Sequence, residues 1–200
     1  MGYFSPVIRS YLAEYAVKAT GRLLDVGCGT APHKSLFNGV AQYVGLDRPS
    51  HVYDDYAQSN ERNAAINVVG SAYDLPFGSQ YFDLILGLQI IEHLSDPLSF
   101  LQEAQRVLCH GGTIILTFPL INPVHEAPYD FFRFTEYGLR HLCEISNLQV
   151  KKVTPMGGGW LTVGYLLRSL LLWNEHVVPP PWWKRRFASS SRFGHIAQQA

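Results

Sequence analysis

Two short stretches near the start of the sequence have the composition of a ligand-binding turn. RLLDVGCGT (22–30) is an apolar run that contains Asp25 and then breaks into the glycine turn at 27–29. Because glycine lacks a Cβ, such a turn lets a ligand approach the main chain closely. Asp47 ends the next apolar run, 20 residues after Gly27. At that distance a carboxylate can accept hydrogen bonds from both hydroxyls of a ribose, so the pattern predicts a nucleoside-containing ligand.

The residues after the turn distinguish between two classes of nucleoside ligand. A dinucleotide-binding turn has the pattern G-x-G-x-x-G, whose third glycine lets a helix pack closely behind a pyrophosphate. Pro32 stands at that position here. The turn therefore favours a ligand with a ribose and no pyrophosphate, such as S-adenosylmethionine. A nicotinamide-dependent oxidoreductase is the alternative enzyme, and a tight turn that binds nothing is the structural alternative.

A second group of reactive side chains follows two later apolar runs. Glu92 and His93 come after FDLILGL (82–88), and HEAPYDFFRF (125–134) packs an imidazole, two acids, an arginine and aromatic rings into ten residues. This density of polar and aromatic groups in a loop is typical of a substrate-binding surface. The alternatives are that the phenylalanines fill space and that Glu92 and His93 fix a helix start. The candidate catalytic residues, as a general base or as positioning groups, are His93, His125, Tyr129 and Arg133.

The segments that position these side chains alternate between two types. Short apolar runs, which suit strands buried on both faces, recur at 22–26, 42–47, 66–72, 82–88 and 113–119, with a sixth strand predicted at 147–155. Helices are predicted between and around them. This alternation predicts an α/β fold with a doubly wound, mainly parallel sheet, in which ligands bind beyond the carboxyl ends of the strands.

Capping residues mark three predicted helices. Ser5 and Pro6 open a helix that runs to about residue 19. Asp96 caps the second helix, and the glycines at 111–112 are expected to end it. Thr135 begins the third. The residues expected to face inward are Leu98, Leu101, Ala104 and Leu108 in the second helix and Leu139, Leu142 and Cys143 in the third.

Composition limits the class of protein and its partners. The chain has 200 residues, of which 47% are hydrophobic, which is sufficient for one domain with a core. Lysine plus arginine and aspartate plus glutamate both number 16, so the net charge of zero argues against a nucleic-acid partner. The three cysteines lack C-x-x-C spacing, which favours a reducing cytoplasm. We divide the chain into a ligand-binding domain (1–155) and a C-terminal segment (156–200).

The C-terminal segment has an unusual composition. WLTVGYLLRSLLLW (160–173) is strongly apolar, but as a helix it would be about 21 Å long, too short to span a bilayer. Tryptophans at 182–183 stand beside the basic residues at 184–186, a composition typical of an anchor at an anionic membrane surface. The alternatives are that the apolar helix covers the sheet or forms a homodimer contact, and that the last dozen residues are disordered.

Taken in order, the motifs resemble those of a known family. LLDVGCGT, YVGLD, VVGSAYDLPFGSQYFDLILGLQIIEHLSDP and EAQRVLCHGGTIILTFP are similar to the successive motifs of class I S-adenosylmethionine-dependent methyltransferases, over about residues 20–155. HEAPYDFFRFTEYGLRHL resembles a bacterial subgroup often encoded beside genes for sugar and cell-envelope assembly. The resemblance implies a Rossmann-like fold, S-adenosylmethionine as cofactor and a small-molecule or glycan-like acceptor. A cofactor-binding or membrane-associated scaffold without catalysis is the alternative from another class.

The resemblance also implies roles for the cofactor-binding residues. The glycine turn would hold the methionine part, the acid at 47 the ribose, residues 71–73 the adenine and residues 88–89 the sulfur side. The family commonly has an acid at position 71, and a serine hydroxyl accepts a hydrogen bond less strongly, so reduced affinity is expected. The family also usually ends with a seventh strand that this sequence does not show. The cofactor-binding set is Asp25, Gly27, Cys28, Gly29, Asp47, Ser71, Ala72, Tyr73, Leu88 and Gln89.

A metal site is not expected from the sequence. Some methyltransferases place Glu-x-x-Glu-His after the fourth strand, with a later histidine, to bind a divalent ion. Gln89 stands where the first of those glutamates would be. A neutral amide is a poorer ligand for a hard cation than a carboxylate is, so the site would keep at most Glu92, His93 and His125.

Overall fold

Five parallel strands form the sheet that the apolar runs predict. The structure, a computed structural model, describes residues 5–48 and 64–171. The strands lie in the order β3-β2-β1-β4-β5, and every neighbouring pair is parallel. Because the chain moves outward from β1 in one direction and then in the other, the order reverses between β1 and β4, where such sheets bind ligands. The strands are β1 (Arg22–Val26), β2 (Gln42–Asp47), β3 (Val68–Val69), β4 (Phe82–Leu88) and β5 (Leu108–Thr117).

Within residues 5–48 and 64–171, four of the α-helices flank or follow the sheet. They are α1 (Ser5–Ala16), α2 (Pro97–Val107), α3 (Glu136–Ile145) and α4 (Gly159–Leu171). Two single turns of 3₁₀-helix, Lys34–Leu36 and Ile91–His93, follow the carboxyl ends of β1 and β4. The predicted doubly wound α/β fold is confirmed.

Both faces of the central strands are buried. Successive side chains of a strand point to opposite faces, so Leu23 packs with α1 in one core cluster while Leu24 joins the other cluster, which contains residues of α2 and α3. In β4, Leu84 and Leu86 lie in the α1 cluster and Ile85 in the other. This two-sided burial explains why the runs are continuously apolar rather than alternating.

The second helix begins as predicted but ends earlier. The Asp96 side chain accepts a hydrogen bond from the Ser99 amide at 3.1 Å, and Pro97 is the first helical residue. The helix ends at Val107 rather than at the glycines, because Leu108 already pairs with Phe82 of β4. The predicted inward positions Leu98 and Leu108 are only half-buried. The residues that α2 buries are Pro97, Phe100, Leu101, Ala104 and Val107.

Two strand predictions were wrong. The third strand, expected over 66–72, is only Val68–Val69, because the Ser71 hydroxyl accepts a hydrogen bond from the Tyr73 amide and turns the chain out of the sheet. Within the described residues, the segment 147–155 pairs with no strand. Leu148 and Val150 pack on the core, so their alternation reflects side-chain burial without a backbone ladder.

The last described elements are helices α3 and α4, and α4 belongs to the C-terminal segment. Thr135 caps the preceding helix α3 through the Gly138 amide, with Leu139 and Cys143 buried and Leu142 half-buried. Trp160 at the start of α4 is 90% exposed. No helix of the described part has the length and apolarity needed to cross a bilayer. The aromatic and basic residues at 182–186 lie outside the described residues, and the division at residue 155 stays a prediction.

Candidate active site

The glycine turn and the acid at the end of β2 meet at one rim of the sheet. The Gly29 amide donates a hydrogen bond to Oδ2 of Asp47 at 2.9 Å, and the Arg48 amide donates to Oδ1 at 2.7 Å. The amides of Gly27 and Cys28 both donate to the Leu46 carbonyl, at 2.8 and 3.2 Å. These contacts place the Asp47 carboxylate directly against the glycine turn, at the carboxyl ends of β1 and β2.

Glycine is favoured at positions 27 and 29 of the turn for different structural reasons. Both have a positive φ, +69° at Gly27 and +53° at Gly29, which favours glycine. A Cβ on Gly27 would lie 2.5 Å from Cδ1 of Ile90, so packing also requires glycine there. A Cβ on Gly29 would have no atom within 4 Å. The open side of the turn is therefore at Gly29, where a ligand can approach the main chain.

The chain after the turn does not form the element that a pyrophosphate needs. Residues Lys34–Leu36 form a single 3₁₀ turn rather than an α-helix, so no helix N-terminus faces the site from this segment. Arg9 of α1 donates to the Pro32 carbonyl at 3.4 Å and to the Ser35 hydroxyl at 3.2 Å, which holds the segment against α1. This geometry agrees with the preference for a ligand without a pyrophosphate. Cys28 is buried against Ala31 and Ala65.

Asp25 is a buried carboxyl that controls charge beneath the turn. It is 4% exposed and accepts a hydrogen bond from the Tyr43 hydroxyl. Burial raises the pKa of Asp25 to about 7; the Tyr43 hydrogen bond opposes this shift, and the negative charge of Asp47 adds to it. Protonation of Asp25 near neutral pH therefore reduces the repulsion between the two carboxyl groups.

The predicted adenine side is a turn held by a helix. Ser71 is exposed and its hydroxyl is used within the turn, Ala72 is buried, and the Tyr73 hydroxyl accepts from the Ser95 amide at 2.8 Å. Arg106 of α2 fixes the segment that follows, because its guanidinium donates to the carbonyls of residues 75 and 77 at 2.9 and 2.8 Å. This role of Arg106 could not be predicted, because nothing in the sequence of a helix indicates which loop its side chains contact.

The predicted sulfur side depends on a contact between β4 and β5. Gln89, directly after the half-buried Leu88, has a φ of +54°, which is unusual for a residue with a side chain. Its main-chain amide donates to the Thr117 carbonyl at 3.0 Å, and its side-chain amide donates to the Thr117 hydroxyl at 3.1 Å. Thr117, which ends β5, was missed because the sequence shows it only as part of an apolar strand.

The loop after β5 is fixed by one arginine. Arg133 donates to both oxygens of Asp130, at 2.6 and 2.7 Å, and to three main-chain carbonyls of the loop: those of Asn122, Pro123 and Phe132. These contacts use all five N–H groups of the guanidinium. Burial alone would raise the pKa of Asp130, but hydrogen bonds from Arg133 and from the His125 amide lower it to about 2. The catalytic role suggested for Arg133 stays a prediction, and its contacts are those of a loop clamp.

The other reactive side chains converge beneath this loop. Nδ1 of His93 lies 2.7 Å from the Tyr129 carbonyl, and the rings of His93 and His125 meet edge to face with centroids 4.7 Å apart. Glu92 is 0% exposed, and neither of its carboxylate oxygens has a hydrogen-bond partner in the described structure. Burial raises the pKa of Glu92 to about 7 and lowers the pKa of His93. The lowered pKa makes His93 a weaker base that is neutral at pH 7, whereas the Glu92 carboxyl can exchange a proton near pH 7.

One contact joins the two halves of the site. The Arg48 guanidinium, adjacent to Asp47, lies 5.2 Å from the centre of the Tyr129 ring. Tyr129 is thus near the cofactor rim, while its main-chain carbonyl contacts His93. Neither Arg48 nor the loop residues that support His125 have a recognisable sequence signal, because their roles depend on contacts between distant segments. The supports that were missed are Asn122 of the loop and Tyr165 of α4, whose hydroxyl donates to the Asn122 side chain. The two acids of the loop, Glu126 and Asp130, belong to the group of reactive side chains that the sequence indicates.

The fold is a parallel α/β domain in which a glycine turn and an acid share one rim beside a histidine-containing loop. Comparison with known proteins gives the family that this arrangement resembles. Residues 24–116 match the model of a family of methyltransferase domains. A ubiquinone biosynthesis O-methyltransferase of Azorhizobium caulinodans is 32% identical over 139 residues, which cover 67% of this chain and 53% of that protein. Ajmaline N-methyltransferase of Rauvolfia serpentina is 36% identical over 107 residues, covering 50% and 36%.

A solved structure of an S-adenosylmethionine-dependent methyltransferase from Aquifex aeolicus has a TM-score of 0.53 with this chain, at 17% identity, and covers 77% of this chain and 94% of that one. The match over residues 24–116 and these relatives support the class I S-adenosylmethionine-dependent methyltransferase family for this chain. The family indicates S-adenosylmethionine as the cofactor. The chain spans about half the length of the curated relatives that it matches.

Proposed function

We propose that this chain transfers the methyl group of S-adenosylmethionine to a hydroxyl of a small-molecule or glycan-like acceptor. The observation that carries the proposal is the contact between the Gly29 amide and Asp47 beside the open face of Gly29. A ribose on Asp47 directs the rest of the nucleoside along this rim. The methionine part then lies over the turn, with its sulfonium toward the residues that follow β4.

Methyl transfer requires that the acceptor oxygen be in line with the carbon–sulfur bond and that one group accept the hydroxyl proton. The acceptor oxygen attacks the methyl carbon in line with the carbon–sulfur bond, whose electron pair returns to sulfur and leaves neutral S-adenosylhomocysteine. The hydroxyl proton is lost to a base. Holding the two reactants in line accounts for about 7–11 kcal/mol of the barrier in favourable cases. A positioned base adds roughly 10²–10⁴ in rate, and His93 and His125 remain candidates for this role.

An oxygen acceptor is preferred because of the groups around the loop. A hydroxyl must lose its proton on methylation, and the buried Glu92 carboxyl, whose pKa burial raises to about 7, lies there beside the imidazoles of His93 and His125. The relatives include enzymes named for both O- and N-methylation, so the family alone does not choose between them.

We propose further that the chain acts in the cytoplasm on no nucleic acid, and that it contacts membranes peripherally through its C-terminal segment. The exposed Trp160 of α4 and the basic and aromatic composition of residues 182–186 support the membrane contact. A homodimer through α4 is the competing use of the same surface. Sedimentation with anionic vesicles against sedimentation equilibrium of the protein alone distinguishes the two.

Calorimetric titration with S-adenosylhomocysteine tests the cofactor site. We expect binding by the wild type and a loss of about 1–3 kcal/mol in Asp47→Ala, because ribose hydroxyls would be left without an acceptor. Asp83→Ala is the matched control, since Asp83 also accepts a main-chain hydrogen bond, from the Arg22 amide at 2.8 Å, but near the opposite ends of the strands. Equal affinity of Asp47→Ala and Asp83→Ala would contradict the assignment.

Two further measurements distinguish the alternative functions. Transfer of labelled methyl groups to a panel of hydroxylated acceptors separates an enzyme from a cofactor-binding scaffold. An absorbance change at the nicotinamide band on addition of substrate and dinucleotide would instead support the oxidoreductase.

A further inference from the structure

The buried side chains beneath the loop after β5 form a set of metal-ligand type. Glu92, His93 and His125 each offer one ligand atom, and these atoms all lie within 4.8 Å of one another. Nε2 of His93 lies 3.8 Å from Oε1 of Glu92 and 3.9 Å from Oε2 of Glu126. Two imidazoles and a carboxylate are donors that suit Zn²⁺, Mn²⁺ or Fe²⁺.

The burial of Glu92 gives an independent reason to expect a ligand. Its carboxylate is completely buried, and within the described structure no group donates a hydrogen bond to either oxygen. An unpaired buried carboxylate is costly, and a divalent cation between Glu92 and the imidazoles would remove this cost. Arg133, the nearest clamp, has all of its donors committed to Asp130 and to loop carbonyls, so it does not supply the missing hydrogen bonds.

The hydrogen bond of His93 leaves its Nε2 for a metal, and the loop holds the ring of His125 beside it. Nδ1 of His93 faces the Tyr129 carbonyl at 2.7 Å, which can only accept, so Nδ1 carries the proton and Nε2 has the lone pair. Nδ1 of His125 lies 3.2 Å from the Pro123 carbonyl and 3.3 Å from Oδ2 of Asp130, but it also faces two donors, Nδ2 of Asn122 at 3.3 Å and Nη2 of Arg133 at 3.4 Å. These contacts hold the ring in place without fixing its tautomer. Metal-binding histidines typically have an outer contact to a carbonyl or carboxylate, as His93 has, which fixes the ring and its tautomer.

We propose that Glu92, His93 and His125 form a divalent-cation site on the acceptor side, with Glu126 as an additional ligand. This reverses the expectation drawn from Gln89. The Gln89 side chain turns away to Thr117, and ligands from the loop after β5 complete the set instead. Ligands about 2.0–2.2 Å from a metal are at most about 4.4 Å apart, so the side chains would close by roughly half an ångström on binding.

The site's use in catalysis rests on the proposed function. A metal with three or four protein ligands keeps an open position, where an acceptor hydroxyl can bind and lose its proton more readily. The cation would therefore hold the acceptor oxygen and favour its nucleophilic form. In the metal-bound site His93 and His125 would act as ligands instead of bases, and the proton of the acceptor hydroxyl would pass to water. The prediction that follows is that a chelator lowers the rate of methyl transfer without weakening S-adenosylhomocysteine binding.

The test measures metal binding by the full chain without cofactor. Protein stripped with a chelator is titrated calorimetrically with Zn²⁺ and with Mn²⁺, and the Co²⁺ form is examined by visible absorption for bands of nitrogen and oxygen coordination. We expect one ion per wild-type chain and an affinity at least about tenfold lower in Glu92→Gln, His93→Gln and His125→Ala. His141→Ala, which removes an exposed imidazole on α3, is the matched control and should bind as the wild type does.

Two outcomes would overturn the proposal. One is the absence of stoichiometric binding of either ion. The other is binding that the cluster variants retain in full, which would indicate the thiols or other surface groups. If Glu92→Gln fails to fold, His125→Ala keeps the test intact because that residue lies in a loop and is only half-buried. Titration of the same stripped protein with S-adenosylhomocysteine reports on the cofactor site separately.

Discussion

Replacement of Gly29 by alanine tests whether the open face of the turn is a ligand-binding surface. The added methyl group would meet no protein atom within 4 Å, so it does not disturb the packing of the free protein. The positive φ at this position is the only structural penalty. Gly111 provides a matched control, because it has a φ of +77°, an equally open Cβ position and a place near the start of β5, far from the carboxyl ends of the strands.

The two substitutions should have similar effects on stability and different effects on binding. Placing alanine in the left-handed region costs about 1–2 kcal/mol, and alanine recovers part of this by restricting the unfolded chain. A net loss of about 1 kcal/mol corresponds to a fall in Tm of about 2–4 °C in a chain of this size. In Gly29→Ala the methyl group also occupies the space of the methionine part. We expect S-adenosylhomocysteine to bind at least about tenfold more weakly, or about 1.4 kcal/mol.

Calorimetric titration and thermal unfolding of the wild type, Gly29→Ala and Gly111→Ala show whether the methyl group blocks the ligand or only lowers stability. The expected pattern is equal destabilisation of both variants, with binding lost in Gly29→Ala alone. Wild-type affinity in Gly29→Ala would show that no ligand approaches this face, and the cofactor placement would have to be abandoned. Equal weakening in both variants would show that destabilisation, rather than contact, reduces the affinity.

Three further predictions concern the supports of the site. Arg133→Lys keeps the charge but cannot replace five directed donors, so amides of the loop 118–134 should exchange faster with deuterium while S-adenosylhomocysteine affinity stays unchanged; unaltered exchange would contradict the clamp. Asp25 has a folded pKa of about 7, above its unfolded value of 3.8, so the native state holds the extra proton between about pH 4 and 7 and stability falls as the pH rises through that range. The free energy of unfolding of Asp25→Asn, measured with denaturant, should therefore decline less over this range, by on the order of 2–4 kcal/mol, and an identical decline would contradict the raised pKa. Arg106→Ala should lower the free energy of unfolding by about 1–3 kcal/mol, because the segment 75–77 loses its contacts with α2. A loss below about 0.5 kcal/mol would show that other contacts hold this segment in place.

The cofactor half of the site follows from local sequence, and this explains why it could be predicted. The turn at 27–29 needs glycine for its own backbone, and Asp47 ends a strand that pairs in register with the strand before the turn. Once a parallel sheet is predicted, adjacent strand ends must share a rim, so the meeting of Gly29 and Asp47 requires no further information.

The remaining features depend on contacts that leave no local pattern. The strand β3 ends before Ser71, whose hydroxyl accepts a hydrogen bond from the Tyr73 amide, although the surrounding apolar run is compatible with a longer strand. The segment 147–155 alternates like a strand but pairs with no strand among the residues that the structure describes, because an apolar pattern records side-chain burial and not backbone pairing. The five contacts of Arg133 connect residues that are up to 11 positions apart in an irregular loop, so composition could mark that loop as functional without assigning the arginine its part.

The connection between the halves indicates how cofactor and acceptor binding would influence each other. Asp47 faces the ribose position, and the guanidinium of the next residue, Arg48, lies on the Tyr129 ring. The same Tyr129 supplies, through its carbonyl, the contact that orients His93. A ligand that fixes the end of β2 therefore also restrains the segment that orients a proposed metal ligand. Replacing Tyr129 by leucine would remove the ring contact while leaving the carbonyl in place. If this connection couples the sites, the variant should bind each ligand alone as the wild type does and lose only the effect of one ligand on the affinity for the other.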